Sequence, residues 1–207
     1  MKIILASASP RRRELLCQIG WDFDIVVSQV EERITRIQPE EVVEELSCQK
    51  AQDVFASNDH GGEEALLVIG ADTVVACDGQ ILGKPRDRED AVSMLGRLQG
   101  RSHFVYTGVT LCYHSGKAGE KDVTVSFHEK TEVFFYPMSE EEITDYVSTS
   151  EPMDKAGSYA IQGLCARYIC GIRGDYANVV GLPVGRLYQE VCKLTGEKMP
   201  KGGYVYA

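Results

Sequence analysis

The sequence predicts a mixed α/β domain. Two observations carry that prediction: short apolar runs of strand character alternate with helical stripes along the chain, and hairpin signals at Asp78-Gly79 and around the loop 115–122 are ones a purely parallel sheet would not contain. A chain of 207 residues is enough for one globular domain with its own core, and 1–207 reads as a single domain.

The elements follow in order. Ile3 to Ala6 is a short apolar run with β-branched residues and reads as a buried strand. Ser7-Ala8-Ser9-Pro10 then turns the chain into a helix, with Ser9 as N-cap and Pro10 at the first helical position. Leu15, Leu16 and Ile19 form its stripe and Gly20 ends it. Residues 40–56 form a second helix with Val42, Val43, Leu46, Ala51 and Val54 near one face, and 58–64 form an exposed loop. Leu66 to Ala71 is a second apolar strand, with Val74 to Ala76 as its candidate continuation and Asp78-Gly79 as a hairpin turn. Residues 87–98 are a third helix closed by Gly100. Residues 103–113 and 123–136 alternate as strands on either side of the polar loop 115–122. Ser139 and Glu142 frame a capping box that opens a helix to about Val147, and 184–194 is the last helix.

Composition removes several functions. The chain is 43% hydrophobic and 26% charged, as ordinary globular domains are. Its net charge is -9, from 31 acidic and 22 basic residues, so the summed field opposes nucleic acid and anionic lipid. No stretch approaches the ~20 apolar residues that span a bilayer, and no membrane association is expected. The seven cysteines (Cys17, Cys48, Cys77, Cys112, Cys165, Cys170 and Cys192) are scattered without a CxxC pair. They read as buried or half-buried reduced thiols, which fits a reducing, cytoplasmic location. His60, His103, His114 and His128 show no close metal-ligand spacing, and there is neither a GxSxG elbow nor a GxGxxG fingerprint.

Three stretches carry candidate chemistry. Ser7 to Arg13 lies at a strand end that opens a helix. Free N–H groups, the positive dipole end, the hydroxyls of Ser7 and Ser9 and the forks of Arg11 and Arg12 would all attract phosphate there. Three cations in a first helical turn oppose the dipole, so helix stability does not account for them; an exposed basic turn is the plain alternative. Asp72, at the end of an apolar strand, suits a general base or a divalent-cation ligand, or merely a turn carboxylate. Gly83-Lys84-Pro85 fails the P-loop pattern, which needs Ser or Thr where Pro85 stands and Gly where Asp78 stands; Lys84 is either a phosphate ligand or a solvated loop lysine. In Asp154 to Gly163, the amide of Gln162 could read a base edge, and a glycine-bounded turn into a strand explains the segment equally well. Glu31, Glu32 and Lys50 read alone as surface charge. Asn178 to Pro183 reads as a buried structural turn.

Taken together, Leu5 to Arg12, Lys50-Ala51, Gly70 to Val75, Gly83-Lys84-Pro85, Tyr106 to Val109, Asp154 to Gly163 and Val180 to Pro183 resemble the Maf proteins, also called septum formation inhibitor proteins, nearly end to end. The resemblance implies an inosine triphosphatase-like, elongated two-lobed domain with a central cleft. It implies an acid-anhydride hydrolase that cuts a nucleoside triphosphate to the monophosphate and pyrophosphate with a divalent metal, Mg²⁺ or Mn²⁺. It places Asp72 as proton acceptor and metal ligand, and Glu32 (with Glu31 adjacent) as a metal acid. Lys50 and Lys84 fall on phosphate-side positions, and Arg11, Thr73 and Gln162 on positions tied to substrate choice. The pattern is similar to the branch acting on dTTP and UTP, with modified pyrimidine nucleotides as further candidates. Ser47-Cys48 departs from the alanine-rich helix usual before that lysine. Family habit alone suggests a homodimer. A nucleotide-binding regulator of cell division with little turnover, or an enzyme acting on another phosphate anhydride, would use the same residues.

Overall fold

The first helix, α1, begins at Pro10 because proline cannot donate a backbone hydrogen bond and has φ already set for a first turn. In the computed structural model, which describes residues 1–58 and 64–196, such local rules set most elements. In chain order they are β1 (Lys2–Leu5), α1 (Pro10–Gln18), β2 (Asp24–Ile25), α2 (Pro39–Ser57), β3 (Leu66–Cys77), β4 (Gln80–Leu82), α3 (Arg88–Leu98), β5 (Ser102–His114), β6 (Val123–Phe135), α4 (Glu140–Ser148), β7 (Ile169–Arg173), α5 (Tyr176–Val180) and α6 (Val184–Thr195). Three 3-10 turns, Glu151–Asp154, Ala156–Ser158 and Leu164–Tyr168, fill the stretch before β7. Most of the loop expected at 58–64, with His60, and the tail from 197 lie outside the described residues.

Seven strands pair in the order β2-β1-β3-β5-β6-β7, with β4 on β3. The β1 pairings to β2 and β3 are parallel, while β3–β4 and β6–β7 are antiparallel, so the sheet is mixed as predicted. At the β3–β4 turn Asp78 has φ 52 and Gly79 φ 72. Two left-handed residues make the turn that matches strand twist, which is why Asp-Gly signals it. Asp87 caps α3 through Asp90 N at 2.8 Å, and Ser139 and Glu142 form the full capping box of α4. Ser9 is the N-cap residue of α1, but its side chain makes no capping bond, contrary to expectation.

The chain forms two compact units. The first comprises Met1–Asp72, Thr107–His128 and Gly181 onward. Its core includes Ile4, Leu5, Leu16, Leu67, Ile69, Leu111, Leu182 and Leu187, all fully buried. Helix α2 buries Val42, Val43, Leu46, Ala51 and Val54, the predicted stripe, each larger side chain stabilising by roughly 2 kcal/mol. It lies so close to the strands that a Cβ at Gly70 would sit 2.3 Å from the Ser47 carbonyl oxygen, and one at Gly108 2.2 Å from that of Val43. Ser47, the residue that departs from the family helix, is buried and shares a hydrogen bond with Thr110 at 2.9 Å.

The second unit comprises Thr73–Tyr106 and Glu129–Val180. Its core gathers Val75, Leu82, Leu95, Leu98, Val105, Val133, Phe135, Ile143, Tyr146 and Tyr159. His103 is buried within it, edge-on to Phe135 and Tyr159, with Nε2 2.8 Å from the Tyr159 hydroxyl and Nδ1 unbonded. Asn178, expected to be structural, donates to Val105 O at 3.2 Å and Thr131 Oγ1 at 2.9 Å.

Two further sequence expectations need correction. Cys17 and Cys170 are exposed rather than buried. Cys17 lies one residue past the buried Leu16 and so on the outer side of α1, and Cys170 alternates outward on the end strand β7; all seven cysteines are free. Asp72 does not end its strand, because β3 runs twelve residues straight through it. No helix among the described residues is long and apolar enough to cross a membrane.

Two outcomes are expected. Gly70→Ala forces α2 off the sheet and costs about 3 kcal/mol in urea unfolding, whereas Gly96→Ala, exposed in α3 with nothing within 4 Å, is neutral or stabilising by a few tenths to about 1 kcal/mol. Burial lowers the His103 pKa to about 4, so the unfolded chain takes up this proton first as pH falls. Stability linked to His103 is therefore present above pH ~6.5 and lost between there and about 4, by up to about 3 kcal/mol. Unfolding free energies at pH 7 and 4.5 should show a smaller drop in His103→Phe than in the parent chain; an equal drop would contradict this account.

Candidate active site

The first unit assembles most of the candidate residues. Strand β1 runs out at Leu5, Ala6 N still donates to Ile69 O at 2.8 Å, and Ser7 follows buried. Ser7 Oγ, rather than Ser9, organises the turn: it accepts from Ser9 N at 3.3 Å and from Arg12 Nη1 at 3.0 Å. The Ser9 side chain leaves the first turn of α1 uncapped. Arg12 Nε donates to Gly181 O at 2.8 Å, which ties this turn to the segment before α6. Burial pushes the Arg12 guanidinium below the usual arginine range, while the charges of Asp72 and Glu32 oppose that shift and Arg11 adds to it. Arg12 thus commits two of its nitrogens inside the protein, which the sequence did not reveal. Arg11 is half-buried and Arg13 exposed.

Asp72 is brought to Lys50 by the glycine two residues before it. Gly70 and Asp72 share one face of β3, because side chains alternate along a strand. Helix α2 touches Gly70 at Ser47 and Ala51, so Lys50, beside Ala51, reaches Asp72. Lys50 Nζ lies 2.5 Å from Asp72 Oδ1 and 3.0 Å from Glu32 Oε1. The Lys50 and Asp72 side chains are 16% and 15% exposed, so their attraction is only partly screened by water. Lys50, expected at phosphate, is here engaged by two acids. Glu31 points elsewhere, to Arg33 at 3.8 Å. Asp72 and Glu32 converge on the Lys50 ammonium; they are the acids that could hold a divalent cation, which takes one or two carboxylates and fills its remaining positions from phosphate and water. No cluster of three or more His, Cys, Asp or Glu that could hold a metal occurs among the described residues.

The remaining candidates belong to the second unit. Thr73 follows Asp72 on β3, half-buried, with its side chain on the other face by strand alternation. Lys84 is exposed just past β4, where Gly83 O accepts from Gly157 N at 3.0 Å and Pro85 is buried. Gly157, at φ 67, leaves no room for a Cβ against Val75. Gln162 is exposed in a turn that leads into a 3-10 segment before β7, not directly into the strand. That turn is clamped by Glu151, which accepts from Tyr146 Oη at 2.9 Å and Leu164 N at 3.1 Å. The Glu151 carboxylate also occupies the space where a Gly163 Cβ would fall. Glu151, three residues before the Asp154 to Gly163 motif, was not singled out from sequence.

Fold and side chains together define a phosphate-handling α/β protein, with an arginine-bearing helix start and a carboxylate–ammonium–carboxylate cluster. The chain belongs to the Maf family: the family model described as Maf-like protein matches residues 2–194. It is 55% identical over 203 residues to the dTTP/UTP pyrophosphatase of Agathobacter rectalis, covering 93% of this chain and 97% of that one. It is 51% identical over 191 residues to the protein of the same description from Carboxydothermus hydrogenoformans, covering 92% and 97%. Among solved structures it is similar to the Staphylococcus aureus Ham1 protein, at 15% identity and TM-score 0.41 over 65% of this chain and 72% of that one.

Proposed function

We propose that this protein hydrolyses nucleoside triphosphates, dTTP and UTP foremost and modified pyrimidine nucleotides among the candidates, to the nucleoside monophosphate and pyrophosphate. The family and the description shared by the two relatives support the substrate class. The observation that carries the chemistry is Lys50 held between Asp72 and Glu32 in the unit that also presents the Ser7–Arg12 turn.

The α1 start, with Ser7, Ser9 and Arg11, attracts the polyphosphate through N–H groups, hydroxyls and guanidinium, and Arg12 fixes the shape of that turn. The Lys50 ammonium holds the Asp72 carboxylate in one orientation. Asp72 takes the proton of a water as its oxygen attacks phosphorus; the bond to the bridging oxygen breaks and pyrophosphate leaves. Asp72 and Glu32 would hold Mg²⁺ or Mn²⁺, which would supply neutralisation of the charge that grows on the phosphate oxygens. Lys84 is proposed to meet phosphate, and Thr73 and Gln162 to act in the choice of nucleotide.

A cytoplasmic location is part of the proposal, supported by the seven free cysteines. No nucleic-acid partner is proposed, since a net charge of -9 repels one.

Pyrophosphate release by the purified protein with Mg²⁺ or Mn²⁺, across dTTP, UTP, CTP, GTP, ATP and 7-methyl-GTP, tests the reading. Asp72→Asn is expected to lower kcat by at least about 10²-fold while the protein still unfolds in one cooperative transition. Near-wild-type turnover would remove Asp72 as the base. Binding of dTTP without any release would replace the enzyme by a nucleotide-binding regulator. Gln162→Ala is expected to reorder the nucleotides; an equal loss for all of them would make Gln162 structural.

A further inference from the structure

Between β2 and α2 the chain has no helix or strand from Val26 to Ile37, and its residues from 29 to 37 are exposed, Ile34 at 61% and Ile37 at 84%. Apolar burial does not hold this strap. Three α2 side chains spaced four residues apart, Glu45, Gln49 and Asp53, lie on one helix face and grip it through its backbone. Asp53 accepts from Ser28 Oγ at 2.7 Å and Gln29 N at 2.9 Å. Glu45 accepts from Thr35 N at 2.8 Å and Thr35 Oγ1 at 2.5 Å. Between them Gln49 meets both backbone groups of Arg33: Oε1 accepts from Arg33 N at 2.9 Å and Nε2 donates to Arg33 O at 2.7 Å.

The position of that middle clasp is what matters. Gln49 and Lys50 are neighbours on α2, and Arg33 and Glu32 are neighbours on the strap. The Gln49–Arg33 clasp and the Lys50–Glu32 ion pair at 3.0 Å are therefore adjacent rungs. Glu32 is itself half-exposed at 47% and hangs from a segment without regular structure, so the clasp fixes its backbone. Only a primary amide serves here, because Arg33 offers one donor and one acceptor. A carboxylate could accept from Arg33 N but would face the Arg33 carbonyl with another acceptor.

We propose that Gln49 is a positioning residue for the reaction: by clasping the backbone of Arg33 it holds the Glu32 carboxylate beside Asp72 and so sets the affinity for the divalent cation. This rests on the reading of Glu32 as a metal ligand. Groups one step removed from a metal tune its affinity by about 10–100-fold when removed.

The test compares the parent protein, Gln49→Glu, Gln49→Ala, Glu32→Gln and the Gln49→Ala/Glu32→Gln double variant. Three quantities are measured: the Mg²⁺ concentration giving half-maximal pyrophosphate release, calorimetric Mn²⁺ binding without nucleotide, and hydrogen exchange in the metal-free protein. Both Gln49 variants should raise the half-maximal Mg²⁺ and weaken Mn²⁺ binding about tenfold, with the loss recovered at high metal. Exchange should quicken at the Arg33 amide while Gln29 and Thr35 stay protected, and the double variant should be no worse than Glu32→Gln. Faster Arg33 exchange with unchanged metal dependence, while Glu32→Gln does alter it, would overturn the role of Gln49 alone. An unaltered metal dependence in Glu32→Gln would overturn the Glu32 reading and this inference with it.

Discussion

The near-contact of helix α2 with the sheet is the constraint on which the candidate site depends. Gly70 and Gly108 let the α2 backbone approach where any side chain would strike a carbonyl oxygen at about van der Waals overlap, 2.3 and 2.2 Å. That approach brings Lys50 within 2.5 Å of Asp72. The glycines thus convert backbone proximity into a fixed charge pair.

The site residues of the first unit are held by polar groups, not by apolar burial. Ser7, Arg12 and Gly181 tie the turn between β1 and α1 together, and Lys50 links Asp72 to Glu32. The Lys50–Asp72 pair is largely buried, so its attraction is offset by the cost of taking both charges out of water. The consequence of the Lys50 contacts is orientation: one ammonium fixes the places of two carboxylates. Asp72 and Thr73 are the two positions of β3 that are not fully buried, and they interrupt an otherwise closed apolar strand. A polar break inside a buried strand costs folding energy and persists where chemistry uses it.

Much of the fold was legible because it follows from local rules. The Asp78-Gly79 turn, the Ser139–Glu142 capping box, the proline start of α1 and the stripe of α2 each depend on a few consecutive residues. Elements set by distant partners were not legible. Strand β2 is two residues long, and β7 alternates weakly with no fully buried position. The short α5 follows Gly174 at φ 131, and Thr131 Oγ1 donates to the carbonyl of the next residue, Asp175, from β6. Ser9 has the right identity and place for a cap, yet the competing hydroxyl of Ser7 organises the turn.

For the site, the sequence by itself determined identities and neighbours along the chain. The arginines fall at a helix start, Asp72 lies in an apolar strand, and the ordered motifs belong to one family. Tertiary structure alone decided which of these meet in the first unit. Residues 7, 12, 32, 50, 72 and 181 come together there, and Lys50 faces two acids rather than solvent. The reason is physical: periodicity and propensity encode local conformation and which face is buried. Distances between residues far apart in the chain are fixed only when sheet register and close helix packing have been chosen.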